Sequence, residues 1–120
     1  MGKLLLGIDI GTSACKVAVF DEDGRVLAQA SRDYRVYYPK SGRAEQDPEE
    51  WWSAICEGIK EVLSGREAAA DEICGIGVDG QSWSAIPVDR DGKVLCRTPI
   101  WMDTRARDIC ERIKQEAFAE

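Results

Sequence analysis

The residues best suited to chemistry stand near the start of the chain, in the spacing Asp9-x-Gly11-Thr12-Ser13-x-x-Lys16. Gly11 lets the backbone approach a ligand with no Cβ in the way. The amides around Gly11, Thr12 and Ser13 can converge into a concave anion nest. Thr12 and Ser13 add hydroxyl donors, and Lys16 adds a point charge. Asp9, just before the turn, can hold a hydrated Mg²⁺ against phosphates. The same residues also read as an ordinary hairpin with Asp as a turn-former, and Lys16 as a strand lysine that snorkels to solvent. Two features favour the ligand. Ile8 and Ile10 flank Asp9, which predicts an acid near the core in need of a partner or a metal. The turn also lacks the usual Asn-Gly or Asp-Gly signal of a plain two-residue hairpin.

A second set lies downstream. Gly80-Gln81-Ser82-Trp83 follows the apolar run 73–79, and Trp101 and Asp103 stand in the segment 98–106. An indole beside side-chain donors and acceptors suits a sugar, which presents apolar C–H faces and many hydroxyls. Each residue has a plainer alternative. Trp83 and Trp101 can be core aromatics. Asp103 can be the N-cap of a helix, and Arg105 and Arg107 can be solvated or paired with nearby acids.

The elements that must position these groups follow from periodicity. The run 4–10 and the alternating run 16–20 predict two strands around the Gly11 turn. A polar turn at 21–24 leads to a third strand over 25–34, with Val26, Ala28 and Ala30 on one face. Residues 34–38 extend or cap it, and 39–46 form a loop. Asp47-Pro48-Glu49-Glu50 is a strong helix start: an N-cap, proline at the first position, and Glu50 completing a capping box. Trp52, Ile55, Ile59, Val62 and Leu63 then follow helical spacing, and Gly65 is a stop. Trp51 and Trp52 read as packing residues. Residues 67–72 form a ragged turn or a loop. The run 73–79 predicts a central strand parallel to the first, reached by a crossover. Its carboxyl end then carries Gln81, where ligands bind in open α/β sheets. Short strands at 84–88 and 93–96 flank a turn. A last helix starts at Asp103 or Thr104, with Ala106, Ile109, Cys110, Ile113 and Phe118 on one face.

Composition narrows the field. At 120 residues the chain is one domain at most, yet long enough for a real core. A net charge of −6 argues against a nucleic-acid footprint or an anionic membrane surface. The absence of histidine rules out a His triad or a His metal site. Five cysteines without a C-x-x-C pair read as reduced core thiols of a cytoplasmic protein and give no zinc site. No stretch reads as a signal peptide or a membrane span, and no internal repeat is present.

With the turn, the GQSW loop and the WMDTRA segment in view, the chain resembles the N-terminal portion of the FGGY family of carbohydrate kinases, most of all its xylulose-kinase branch. The likeness covers essentially the whole chain. Asp9-x-Gly11-Thr12-Ser13-x-x-Lys16 matches the first phosphate motif, GIGVDGQ (75–81) the strand and Gln before the sugar loop, and PIWMDTRA (99–106) the Trp-x-Asp-x-Arg segment. The resemblance implies a ribonuclease-H-like α/β fold of the actin, Hsp70 and sugar-kinase superfamily: a mixed five-stranded sheet flanked by helices, incomplete here. It implies phosphoryl transfer from ATP with Mg²⁺ to a ketose hydroxyl, most of all that of a pentulose such as xylulose. Asp9 would then serve the metal, and Gly11, Thr12, Ser13 and Lys16 the phosphates. Gln81, Ser82, Trp83, Trp101 and Asp103 would line the sugar. The chain differs from the family in Ser82-Trp83, where xylulose kinases often carry Met-His, and in Ala14-Cys15. Family members are several times longer. On that likeness residues 1–120 are an N-terminal fragment. The aspartate base and the adenosine-gripping lobe would lie beyond Glu120, and the chain alone would be inactive. Two further classes remain: a non-catalytic actin- or Hsp70-like phosphate-binding module, and an interaction module whose hairpin is only a hairpin. An open sheet edge would favour self-association.

Overall fold

The computed structural model describes residues 3–65 and 68–117. β1 (Leu4–Ile10), β2 (Ala14–Phe20) and β3 (Val26–Asp33) form an antiparallel meander. A short β4 (Glu45–Gln46) leads into helix α1 (Pro48–Val62). A single 3₁₀ turn (Ala70–Glu72) precedes β5 (Ile73–Gly80), then β6 (Thr98–Pro99) and helix α2 (Arg107–Ala117). The main sheet has four strands in the order β3-β2-β1-β5, with β5 parallel to β1. The predicted parallel pairing holds, but β5 is an edge strand of the described sheet rather than a central one.

Alternation along the strands decides which face is buried. Leu4, Leu6 and Ile8 of β1 and Cys15, Val17 and Val19 of β2 point to one side and form the core. α1 lays Ala54, Gly58 and Val62 on that side. The opposite face carries Gly7 and Asp9 of β1, Lys16 and Phe20 of β2, and Asp79 of β5, around an open groove of about 930 Å³.

Several sequence expectations change here. A register shift between Val19 and Phe20 pairs Val26 with Phe20, so Val26 joins the open face instead of the Ala28 and Ala30 side. In α1 the buried indole is Trp51, and Trp52 is exposed. Asp47 is the N-cap and accepts the Glu49 N–H at 3.0 Å. The capping box does not close, because Glu50 turns away to accept from the Tyr37 hydroxyl and the Arg35 N–H. The expected strands at 84–88 and 93–96 reduce to one bridge between Val88 and Val94. The last helix begins at Arg107, later than Asp103 or Thr104, and buries no residue; Ile109 and Ile113 stay exposed, and Phe118 lies outside the described residues. Glu67, in the expected ragged turn, also lies outside them. Of the five free cysteines only Cys15 is a core residue, while Cys74, Cys96 and Cys110 are exposed.

The two-stranded β4–β6 sheet matters most for the site. It pairs Gln46 with Thr98, both fully buried, and so brings the segment that carries Trp101 beside the β1–β2 turn.

Candidate functional site

The site forms where the carboxyl ends of the parallel pair β1 and β5 meet. Ile10 pairs with Gly80, and a Cβ on Gly80 would lie 2.7 Å from the Ile10 carbonyl oxygen. Only glycine allows that approach. It lets the Gln81 N–H donate to the Ile10 carbonyl at 2.8 Å, which seats Gln81 on the β1–β2 turn. The turn itself closes through the Gly11 N–H on the Ala14 carbonyl at 3.0 Å.

Four side chains hold the turn. Gln46 Nε2 donates to the Thr12 carbonyl at 2.7 Å. Gln81 Nε2 reaches the Gly11 carbonyl at 3.4 Å and Gln46 Oε1 at 2.7 Å. The Tyr34 hydroxyl donates to the Gly11 carbonyl. Trp101 Nε1 donates to Thr12 Oγ1 at 2.9 Å. Burial, aided by Cys15 and Asp9, pushes the Tyr34 phenol well above its usual range, so it remains a donor at neutral pH. Burial, followed by the charge of Asp9, likewise raises the Cys15 thiol, which is the state of an inert core cysteine.

Asp9 and Lys16 are direct cross-strand partners on the open face, and Asp79 pairs with Asp9 from β5. Asp9 is exposed, so the expectation of an acid beside the core is corrected: strand alternation sends it to the face opposite Ile8. Magnesium is commonly held by one or two carboxylates plus substrate phosphates. Asp9 and Asp79 on adjacent strands fit that sparse set, and no group of three potential metal ligands stands among the described residues.

The structure therefore brings Gly11, Thr12, Gln81 and Trp101 together, with Asp9 and Lys16 one step along the strands. Ser13 and Ser82 are exposed. Trp83 is 93% exposed, has φ of +67° and lines a cleft of about 470 Å³ with Gln81 and Trp51. A non-glycine residue with positive φ is uncommon and strained, a feature that gathers at functional sites. Gln81 Oε1 is buried with no hydrogen-bond partner among the described residues. Neither Trp83 nor Trp101 is a core residue.

Asp103 faces inward to its own segment. Its carboxylate accepts from Arg105 Nε and Nη2, the Arg105 N–H and the Ala44 N–H. The Arg105 guanidinium foremost, with these backbone donors, holds its carboxyl well below the ordinary range. Arg105 also pairs with Glu45 at 2.7 Å. The sequence does not single out Tyr34, Gln46, Trp51 or Asp79 as site residues; it reads Trp51 as a packing residue, which it is. Asp79 was the most accessible of them, since it ends the apolar run 73–79 just before Gln81. The other three act through long-range contacts that no local pattern encodes.

Comparison with known proteins agrees with this geometry. Residues 4–120 match the FGGY family of carbohydrate kinases, N-terminal domain. The glycerol kinase of Agrobacterium fabrum is 35% identical over 119 residues, which is 98% of this chain and 24% of that protein. The crystal structure of xylulose kinase from Rhodospirillum rubrum superposes with a TM-score of 0.87 at 28% identity, over 95% of this chain and 23% of that one. That of gluconate kinase from Lactobacillus acidophilus superposes with a TM-score of 0.86 at 30% identity, over 99% and 24%. The chain thus spans about a quarter of the length of the relatives it matches. Its mixed sheet with helices is that of sugar kinases in the actin and Hsp70 superfamily. From its β1–β2 turn to its WMDTRA segment, this chain belongs to the FGGY family of carbohydrate kinases.

Proposed function

We propose that this chain supplies the phosphate turn and part of the sugar wall of a kinase that transfers the γ-phosphoryl group of MgATP to a ketose hydroxyl. A pentulose such as xylulose is the first candidate. One observation carries the reading: two residues of the expected sugar side, Gln81 and Trp101, bond directly to the Gly11–Thr12 stretch of the expected phosphate turn. In this reaction the sugar oxygen bonds to the γ-phosphorus, the bridging bond to ADP breaks, and the hydroxyl proton passes to a base. That base is an aspartate expected beyond Glu120.

Phosphoryl transfer mainly requires positioning and charge stabilisation. The amides of Thr12 and Ser13 serve the phosphoryl oxygens, with Lys16 as a nearby charge. Asp9, beside Asp79, holds the Mg²⁺, which supplies neutralisation of phosphate charge when bound. Gln81 Oε1, buried and without a partner among the described residues, accepts from a sugar hydroxyl. Trp83 and Trp101 offer indole faces to the C–H side of the sugar, with Ser82 as a hydroxyl donor. Asp103 braces this wall through Ala44 and Arg105. The likeness to xylulose kinases supports a pentulose; the likeness to glycerol and gluconate kinases calls for a wide panel of acceptors.

The test is coupled ADP release by the complete protein carrying this segment, over ketopentoses, ketohexoses and polyols. Turnover with one ketose is expected, and Asp9→Ala should lower kcat by at least about 10²-fold, the scale of a lost charge-stabilising group. The 120-residue chain alone should show none. Silence across the panel from folded, ATP-binding protein would overturn the reading.

A further inference from the structure

The Gly11–Ser13 turn is gripped from beneath by an amide outside the segments 9–16, 75–81 and 99–106. Gln46 is fully buried. Its Nε2 donates to the Thr12 carbonyl at 2.7 Å, while its Oε1 accepts from Trp51 Nε1 at 3.1 Å and from Gln81 Nε2 at 2.7 Å. Chemistry fixes the orientation of this amide. An indole N–H only donates and a carbonyl only accepts, so Gln46 satisfies both in one way alone. Gln81 must then present its NH₂ group, which also reaches the Gly11 carbonyl at 3.4 Å, where the Tyr34 hydroxyl donates as well.

The consequence lies in the peptide planes. A trans peptide points its C=O and N–H in opposite directions. Drawing the Gly11 and Thr12 carbonyls toward buried donors turns the Thr12 and Ser13 N–H groups the other way. Among the described residues, neither N–H donates to the chain itself. The inward grip on two carbonyls is the condition for presenting two amides outward.

We propose that Gln46 is a positioning residue for nucleotide phosphate. Locked by Trp51, it holds the Thr12 carbonyl so that the next peptide presents its N–H to the phosphoryl group, and it ties the turn to Gln81. This rests on the kinase reading of the same turn.

The test uses the complete protein carrying this segment. Gln46→Met keeps the length of the side chain and removes the donor. Trp51→Phe keeps an aromatic ring at the site and removes the N–H that sets the orientation of the amide, together with part of the buried indole. Affinity is read by calorimetry with the magnesium complex of a non-hydrolysable ATP analogue. Stoichiometry counts folded sites, so simple misfolding lowers stoichiometry, whereas loss of positioning weakens Kd. Gln46→Met should weaken Kd and lower kcat by about tenfold each at unchanged stoichiometry, with the sugar KM within about twofold. Trp51→Phe should move both in the same direction by about threefold. Kd and kcat of Gln46→Met within about twofold of wild type would overturn the proposal. If Gln46→Met does not fold, an unchanged Trp51→Phe overturns it instead. A wild-type protein that binds the analogue but phosphorylates no acceptor sinks the kinase reading, and the Kd comparison still decides this one. A wild-type protein that does not bind the analogue sinks both.

Discussion

The two ends of α1 rest on the sheet in different ways. Toward its C-terminal end, Ala54, Gly58 and Val62 pack on the apolar side chains of Leu4, Leu6, Ile8, Val17 and Val19. At its start, Trp51 packs with Ala44 and Ile100, yet its indole N–H is bonded to Gln46. Apolar burial is non-directional and roughly proportional to area. It brings elements together without fixing the orientation of any one group. A hydrogen-bonded amide fixes direction as well as distance. The first end therefore supplies stability, and the second supplies the geometry of the turn.

At the packing end, the largest effect expected is at Gly58. A Cβ there would lie 2.7 Å from Val17 Cγ2, and Val17 is 1% exposed. Replacing a mid-helix glycine by alanine should gain about 1 kcal/mol from propensity. Forcing atoms into a filled core costs about 1–3 kcal/mol. The clash should win: Gly58→Ala destabilises slightly, and Gly58→Leu by about 3 kcal/mol. At roughly 4–8 °C per kcal/mol, thermal melts separate the two. Nucleotide affinity per folded molecule should not change. A Gly58→Ala protein that melts above wild type would show that this end of the helix has slack.

A middle-sized effect belongs to Asp103, the brace on the other side of the turn. Its side chain is 4% exposed, and that of its partner Arg105 is 33% exposed, so water screens the pair only in part. Asp103→Asn should lose about 1 kcal/mol at neutral pH. The pH dependence has a definite sign. The folded carboxyl titrates below its unfolded value of about 3.9, so its contribution is complete above that pH and fades as pH falls through the folded pKa. The gap in melting temperature between wild type and Asp103→Asn should be widest above about pH 5 and close in stronger acid. A gap that grows on acidification would mean that the carboxylate is not what braces this segment.

The sequence made the first strands, the Gly11 turn, the α1 start and the β1–β5 pairing legible because each is encoded locally: alternation, a glycine turn, an Asp-Pro cap, an apolar run. The resemblance carried the segments 75–81 and 99–106 to the site. What stayed hidden depends on distant chain. Gln46 sat in a stretch read as loop, and nothing local shows that β6 pairs with it from 52 residues away. The edge position of β5 likewise depends on which strands accompany it. Val26 changes face because one extra residue, Leu27, stands between it and Ala28 in the register, and a one-residue slip moves a side chain to the other face.

The smallest effect, and the sharpest contrast, comes from neighbours in sequence. Helical spacing alone placed Trp52 in the buried stripe with Ile55, Ile59 and Val62. The structure keeps Val62 buried and Ile55, Ile59 and Leu63 against the core, but seats Trp51 in place of Trp52: Trp51 is 9% exposed and Trp52 63%. The Gln46 bond gives a reason, because only a side chain at 51 meets that buried acceptor from the first turn of α1. If this is what sets the rotation of the helix, Trp52→Ser removes surface already largely in water. Its effect on unfolding free energy should then stay within about 0.5 kcal/mol. Trp51→Ala, by contrast, empties a buried site and should cost about 3–5 kcal/mol. Denaturant melts of the two variants read the difference directly. Comparable losses would mean that Trp52 also contributes buried area, and the division between a packing end and an orienting end of α1 would have to be redrawn around both indoles.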